Sequence, residues 1–130
     1  MCNHYSDTKS TMVLFKFKGG ECNMNIISER ILADCGFILN SQKAHASEFK
    51  HKGIVVYIVP SAQLNLVISP EDYLYLKDLG FKKYHNSNLT AFPKESNEGK
   101  QEIHYGYKKE FEDSSSMKQF LIEYTSYKNG

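Results

Sequence analysis

Apolar and polar positions in the first part of the chain form patterns that predict a strand, a helix and the start of a sheet. The segment Met12–Lys18, MVLFKFK, alternates in hydrophobicity, which predicts a strand that two following glycines end. In Asn25–Cys35, apolar residues recur at positions i, i+4 and i+8, which predicts the first helix. The sheet is then expected to begin at Phe37–Leu39 and to include the weakly alternating segment His45–Lys50.

The middle of the chain has the clearest strand and helix signals. Ile54–Val59, IVVYIV, is a run of β-branched and aromatic residues, which predicts a central strand buried on both faces. Lys52-Gly53 is typical of a hairpin tip before that strand, and Leu64–Ile68 predicts a shorter strand after it. Ser69-Pro70-Glu71-Asp72 is a typical helix start, because serine suits the N-cap, proline suits the first helical position and carboxylates favour the positive end of the helix dipole. This helix is expected to end at Leu79.

The last third of the chain predicts two more strands and a closing helix. Asn88–Phe92 and Ile103–Tyr107 are expected to be strands, with the polar segment Pro93–Lys100 as a mobile loop between them. Asp113 or Ser114 is expected to cap the helix, whose apolar stripe is Met117, Phe120, Leu121 and Tyr124. Short connections between consecutive strands favour antiparallel pairing. The sequence therefore predicts a single α+β domain with a mainly antiparallel sheet and about three helices packed on it. Its core is expected over about residues 12–127, after a frayed segment 1–11.

The pattern Leu-x-Asp-x-Gly-Phe occurs twice, in Leu32–Phe37 and in Leu76–Phe81. A Schellman cap needs glycine at C′ and favours an apolar contact between C″ and C3, and both copies meet these conditions. Both are therefore predicted to be helix ends rather than a catalytic motif. The offset of 44 residues also aligns the helix caps Ser69 and Asp113. An architecture of two pseudo-repeated halves that share one sheet is therefore an open alternative.

Composition and charge narrow the class of function. A chain of 130 residues is the size of one domain, and 16 basic against 15 acidic residues argue against both a strongly basic nucleic-acid arm and an acidic DNA mimic. The three cysteines have no metal-binding spacing and are expected to be free thiols in a reducing compartment. Met1–Lys9 is too polar for a signal peptide, and no segment is apolar enough to span a membrane. A cytoplasmic protein without membrane association is therefore expected.

The sequence contains no recognised catalytic or metal-binding motif. The five histidines lack HExxH and His-x-His spacing, and there is no phosphate-binding loop or nucleophile elbow. A cluster of Glu110, Glu112 and Asp113 is accounted for by favourable charge at a helix N-terminus. The expectation is a protein that is not an enzyme and that carries neither a metal nor another cofactor.

Lysine, histidine and aromatic residues interleave in two segments, and together they form a candidate interaction face. Its members are Lys43, His45, Phe49, Lys50, Lys52, Lys82, Lys83, Tyr84, Tyr105, Tyr107, Lys108 and Lys109. Such residues can bind single-stranded nucleic acid by stacking and phosphate neutralisation, although the chain has a single arginine, Arg30. Tyrosines equally suit a protein interface. Exposed strand edges near Met12–Lys18 or Leu89–Phe92 could also pair with another chain, including a second copy in a homodimer.

A series of short segments in one order has a parallel in a known family. The segments are Gly36-Phe37, Gln42-Lys43-Ala44, Val55–Val59, Ser69-Pro70, His104-Tyr105-Gly106, Phe111 and the closing amphipathic helix. In these segments, roughly from Asn25 to Tyr124, the chain resembles a small family of uncharacterised cytoplasmic proteins of enteric bacteria, typified by YgaC. Met12–Lys18 lies outside the family pattern, and Leu74–Asn88 matches it poorly. The resemblance implies an α+β domain in a bacterial cytoplasm. It implies no functional residue, because the family has no established activity.

The sequence favours a non-catalytic binding protein that acts through a protein–protein interface, as an immunity protein, an anti-defence inhibitor or an assembly subunit. The alternative is a nucleic-acid-binding domain that uses a sheet face of lysine and aromatic residues. The distribution of lysines distinguishes the two hypotheses. Lysines gathered on one face would favour nucleic acid, and lysines interrupted by carboxylates would favour a protein partner.

Overall fold

The computed structural model describes residues 25–99 and 101–130, in which helices pack on a seven-stranded sheet. The predicted strand Met12–Lys18, Cys2, Cys22 and His4 lie outside the described residues. Among the helices that are described, none has both the length and the hydropathy needed to cross a bilayer. The elements are α1 (Asn25–Asp34), β1 (Ile38–Lys43), β2 (Ala46–His51), β3 (Ile54–Ile58), β4 (Leu64–Ile68), a 3₁₀ turn (Pro70–Asp72), α2 (Tyr73–Leu76), β5 (Lys82–His85), β6 (Lys94–Ser96), β7 (Glu102–Phe111) and α3 (Ser114–Asn129).

The sheet combines a four-stranded meander with the long strand β7. The strand order is β1-β2-β3-β4-β7-β5, and each of these pairs is antiparallel. β6 pairs with the first part of β7. The Tyr105 N–H donates to the Pro93 carbonyl, whereas the carbonyl of the preceding His104 accepts from the Asn86 N–H just after β5. Because neighbouring residues of a strand direct their backbone groups to opposite sides, β6 lies on the side of β7 away from β5 and continues the line of β4.

Helices cover one face of the sheet, and a connecting segment covers part of the other. On the helix-covered face, α1 and α3 pack over a large core to which the strands contribute alternate residues such as Val56 and Leu66. On the opposite face, Tyr57 packs in a smaller core with Leu89 and Phe92 of segment 86–93. The prediction that β3 is buried on both faces is therefore confirmed, as is the predicted α+β fold with an antiparallel sheet.

The end of the first helix and the start of the last helix are as the sequence predicts. Gly36 has a φ of +95°, and the Phe37 N–H donates to the Leu32 carbonyl at 2.9 Å, which is the bond that defines a Schellman cap at the end of α1. At the start of α3, the Asp113 carboxylate accepts from the Ser116 N–H at 2.8 Å. The predicted apolar stripe of α3 is buried, and it consists of Met117, Phe120, Leu121 and Tyr124.

The second helix is shorter than predicted. Ser69 caps it as expected, since its hydroxyl accepts from the Glu71 N–H at 3.3 Å. The element then forms one 3₁₀ turn and a four-residue helix that ends at Leu76 instead of continuing to Leu79. A bond of 2.9 Å from the Leu79 N–H to the Leu76 carbonyl and a φ of +89° at Gly80 close it. Leu76 enters the large core, whereas Tyr73 and Leu74 are exposed, so the apolar residues of this element do not form one continuous buried stripe.

The predicted strand at Asn88–Phe92 is wrong. The Leu89 N–H donates to the Asn86 carbonyl and the Phe92 N–H to the Leu89 carbonyl, both at 3.0 Å, so this segment consists of consecutive turns. The three-residue spacing places Leu89 and Phe92 on the same side, where both enter the smaller core. The loop predicted at Pro93–Lys100 is also partly wrong, because β6 forms within it. β5 is a strand that the sequence analysis does not predict.

The two halves separated by the 44-residue offset contribute to one sheet with different connections. The first half supplies the meander β1–β4, and the second supplies β5, β6 and β7 in an order that places β7 beside β4. Asp34 and Asp78, which helix capping does not explain, are both exposed. Neither aspartate is therefore part of a buried polar network.

Candidate interaction surface

The structure divides the twelve residues of the predicted interaction face into two groups. One group, Lys43, His45, Phe49, Lys50 and Lys52, lies around β1, β2 and the hairpin that leads to β3. The other group lies on β5 and β7, which are neighbours at the opposite end of the sheet. We call this second group, together with His85, the β5–β7 surface: Lys82, Lys83, Tyr84, His85, Tyr105, Tyr107, Lys108 and Lys109.

The first group lies apart from the β5–β7 surface, and one of its members is buried. Phe49 is only 3% exposed and belongs to the large core, so its assignment to an interaction face is wrong. The Lys43 ammonium donates to the Thr90 hydroxyl at 3.2 Å, and the His45 N–H donates to the Asn88 side-chain carbonyl at 2.9 Å. Both bonds tie segment 86–93 to the sheet. Lys50 and Lys52 are exposed near the hairpin tip, separated from β5 by the strands between them.

The β5–β7 surface has two sides, because successive side chains of a strand point to opposite faces. Lys83 lies opposite Tyr107, which lies opposite Ile68 of the large core, so these side chains share the helix-covered face. Lys82 lies opposite Lys108, which lies opposite Val67 of the smaller core, so the two lysines share the other face. The lysines predicted to act together are therefore distributed over both faces of the sheet.

A row of aromatic rings crosses the helix-covered side of this surface. The ring centroids of Tyr73 and Tyr107 are 5.2 Å apart, those of Tyr107 and Tyr105 are 6.4 Å apart, and those of Tyr105 and His85 are 6.0 Å apart. Tyr73 is 45% exposed, and its neighbour Leu74 on α2 is 78% exposed. We call these four rings the aromatic row. Tyr73 and His85 are absent from the sequence-based set, although their rings pack beside Tyr107 and Tyr105.

A carboxylate from β6 interrupts the positive charge on this side. Glu95 reaches Lys83 at 3.0 Å and His85 at 2.9 Å, and the Lys83 ammonium lies 5.2 Å from the centre of the Tyr105 ring. The bond from Lys83 lowers the pKa of Glu95, and the bond to Glu95 raises the pKa of Lys83. The helix-covered side thus presents aromatic rings with balanced charges rather than a uniform cationic strip.

The other side of the surface places like charges next to each other. Lys82 and Lys108 are directly opposite on β5 and β7. The Lys108 ammonium lies 5.1 Å from the centre of the Tyr84 ring and 3.6 Å from the Glu110 carboxylate. Lys82 is exposed and makes no ion pair with any of the described residues. Like charges in directly opposed positions destabilise a sheet, so this pair is a feature that folding alone does not favour.

β5 is an edge strand: of the strands described here, it pairs with β7 alone. The bond from Asn86 to His104 fixes which backbone groups face β7. Because the direction alternates along the strand, Lys82 and Tyr84 also direct their N–H and C=O groups to β7, and Lys83 and His85 direct theirs outward. The surface therefore combines an edge that can accept hydrogen bonds from a further strand with aromatic and charged side chains on both of its faces.

A cleft of about 420 Å³ lies where β4 ends and β6 begins. At its border the Tyr124 hydroxyl donates to the Asp72 carboxylate at 2.5 Å, and Lys128 pairs with Asp72 at 3.1 Å and with Glu71 at 3.1 Å. Burial, and then the bond to Asp72, raise the pKa of Tyr124. The two carboxylates neutralise the lysine, and the buried hydroxyl is already bonded. These contacts join α3 to the start of the second helix and leave the cleft without a free charged group from this network.

His104 makes a structural contact, and Cys35 is poorly suited to act as a nucleophile. The His104 ring lies 2.6 Å, through Nδ1, from the Phe92 carbonyl and ties segment 86–93 to β7. Burial raises the pKa of the Cys35 thiol, which keeps it protonated and poorly nucleophilic at neutral pH. Within residues 25–99 and 101–130, no three His, Cys, Asp or Glu side chains are arranged to hold a metal ion.

Comparison of the chain with protein-family models, with curated proteins and with solved structures finds no match. The resemblance to the family typified by YgaC therefore stays a prediction.

Proposed function

We propose that this protein is a non-catalytic binding protein that contacts another protein through the β5–β7 surface. The observation that carries the proposal is the juxtaposition of an edge strand, β5, with the aromatic row that the helices leave partly uncovered. Tyrosine side chains of this kind supply contact area at protein interfaces. The role would be that of an immunity protein, an inhibitor of a defence system or an assembly subunit in the cytoplasm of a bacterium.

The charge arrangement supports a protein partner over nucleic acid. A single-stranded nucleic-acid binder combines a continuous basic groove with rings that are free to stack on bases. Here the lysines lie on both faces, Glu95 pairs with Lys83, and Glu110 lies beside Lys108. The rings of Tyr84 and Tyr105 already have ammonium groups over them. A surface of mixed charge and half-buried rings is typical of a protein interface.

Capture from cells that make the protein tests the proposal. We expect one protein to co-purify in stoichiometric amount with the wild type and to be lost with the double variant Lys82→Glu/Lys108→Glu. The matched control, Lys50→Glu/Lys52→Glu, changes charge by the same amount at the other end of the sheet and should retain the partner. Circular dichroism of each variant establishes that the fold is kept. Equal capture by all three proteins, or no stoichiometric partner, would overturn the proposal.

Nucleic-acid binding is the second candidate, and the opposed pair Lys82 and Lys108 favours it. Binding of a labelled single-stranded oligonucleotide across a salt series is the direct test, because phosphate contacts give an affinity that falls as the salt concentration rises. No binding at low salt would exclude this candidate. Salt-dependent binding that Lys82→Glu/Lys108→Glu abolishes would establish it in place of the protein partner.

A further inference from the structure

We propose that the partner adds an acidic, extended segment to β5 as an eighth strand of the sheet. This inference rests on the proposed function and specifies it: the ligand is a peptide segment in β conformation, rich in Asp or Glu, and it binds by backbone hydrogen bonds along the edge of β5. Addition of a strand to an exposed edge is a general mode of peptide recognition, in which the backbone provides affinity and alternate side chains provide specificity.

The backbone geometry defines where the added strand binds. Lys83 and His85 direct their N–H and C=O groups away from β7, so these residues offer two donors and two acceptors along the edge. Neither residue is in a turn or a bulge, and the pairing of β5 with β7 is regular over all four positions. An incoming strand would therefore meet an edge whose groups are spaced for ordinary antiparallel or parallel pairing.

The charge near this edge specifies an acidic segment. β5 and the adjacent half of β7 carry four lysines, namely Lys82, Lys83, Lys108 and Lys109. Among the described residues, the carboxylates that form ion pairs with these lysines are Glu95, which pairs with Lys83, and Glu110, which pairs with Lys108. Alternate side chains of an added strand would lie beside Lys82 and Tyr84 on one face and beside Lys83 and His85 on the other. Carboxylates on the face of Lys82 would relieve the repulsion between Lys82 and Lys108 that the free protein carries.

The same lysines disfavour a second copy of this chain as the occupant. If β5 paired with β5 of another molecule, the KKYH segments would place the lysine-rich edges of the two copies together, which is the arrangement that lysines on edge strands prevent. The β5 edge thus disfavours self-pairing while it remains complementary to an acidic strand.

A proline substitution at the edge tests the inference. His85→Pro removes an outward N–H and leaves the β7-facing bonds of Tyr84 and Asn86 in place, since proline is tolerated on an edge strand when its nitrogen faces away from the sheet. His85→Ala is the matched control, because it also removes the imidazole but keeps the N–H. The probe is a peptide of about ten residues that alternates Glu with Val, compared with the same peptide that alternates Lys with Val.

We expect the acidic probe to bind the wild type and to slow amide hydrogen exchange at Lys83 and His85. His85→Pro should lower the affinity about tenfold or more, and His85→Ala should change it far less. Equal binding of the lysine probe would overturn the acidic specificity, and equal binding by His85→Pro, or no binding of either probe, would overturn strand addition. If His85→Pro still captures the native partner while Lys82→Glu/Lys108→Glu does not, the inference of strand addition is wrong and the proposed function stands. If neither set of substitutions changes capture of the partner, the proposed function is wrong as well.

Discussion

Lys82 on β5 lies directly opposite Lys108 on β7, so that two positively charged residues occupy opposed positions on adjacent strands. Tyr84 lies under Lys108 and Glu110 lies beside it, whereas no described residue forms an ion pair with Lys82. A pair of this kind opposes folding and favours a negatively charged ligand. Stability and binding should therefore respond in opposite directions when the charge at position 82 is reversed.

Lys82→Glu should stabilise the free protein, because it replaces a repulsive cross-strand pair with an attractive one. The expected gain is roughly 0.2–1 kcal/mol at low salt and less at high salt, since the charges are exposed. Urea denaturation at two salt concentrations measures it. Lys50→Glu is the control: it makes the same charge change opposite the uncharged Ile38 and Val55 and should leave stability nearly unchanged. Destabilisation by Lys82→Glu would contradict the repulsion.

Gly106→Ala should destabilise the protein at the point where β4 leaves the sheet and β6 continues its line. A Cβ atom at position 106 would lie 2.7 Å from the Ile68 carbonyl oxygen and 3.0 Å from the Phe92 ring, and the backbone oxygen cannot move aside as a side chain can. The expected loss is roughly 1–3 kcal/mol, typical of overpacking. Gly53→Ala tests backbone strain alone, because its φ is +80° but nothing lies within 4 Å of the added Cβ. If Gly106→Ala were as stable as the wild type, the close approach of position 106 to the Ile68 carbonyl would not require glycine.

The strands of the central meander could be predicted because local composition decides them. β3 and β4 are rich in apolar and β-branched residues that favour burial, and the end of α1 and the start of α3 follow from capping chemistry that involves neighbouring residues only. β5 could not be predicted in the same way. Its sequence, KKYH, has no apolar alternation, and it is a strand because β7 pairs with it.

The candidate site could be predicted in part for the same reason. The chain itself shows that lysines and tyrosines cluster in residues 81–85 and 105–109, but the register that brings these segments together depends on long-range pairing. Glu95 lies in a segment whose composition is that of a loop, and its contacts with Lys83 and His85 exist only because β6 forms beside β7. Alternation alone does not show which face the helices cover, so the sequence does not reveal that Phe49 is buried.

Tyr124→Phe should destabilise the protein because it removes a buried bond to a carboxylate. The Tyr124 hydroxyl donates to Asp72, which is 5% exposed, and the carboxylate would keep Lys128 but lose its hydroxyl partner. Hydrogen bonds to charged groups are worth about 1.5–3 kcal/mol, so a loss of that size is expected. Urea denaturation measures it, with Tyr127→Phe as the control, since that side chain is half exposed. An equal effect of both substitutions would contradict a specific role for the hydroxyl.

Tyr57 should ionise far above the pH at which an ordinary tyrosine does. Burial, and then the bond from its hydroxyl to Glu48 at 2.5 Å, raise its pKa from 10.0 to about 12, while the hydroxyl also accepts from the Ala91 N–H at 2.9 Å. The folded state therefore retains a proton that the unfolded state has lost between these two values. The stabilising contribution of the protonated hydroxyl is complete below about pH 10 and is lost as the pH rises through about 12.

Phenolate absorbance measures the titration, and the difference between the wild type and Tyr57→Phe isolates this side chain. Because Tyr57 holds segment 86–93 on the sheet, amides of that segment should begin to exchange faster over the same pH interval, after correction for the intrinsic rate. A difference spectrum with a midpoint near 10 would show that the hydroxyl does not hold this segment in the way that the structure indicates.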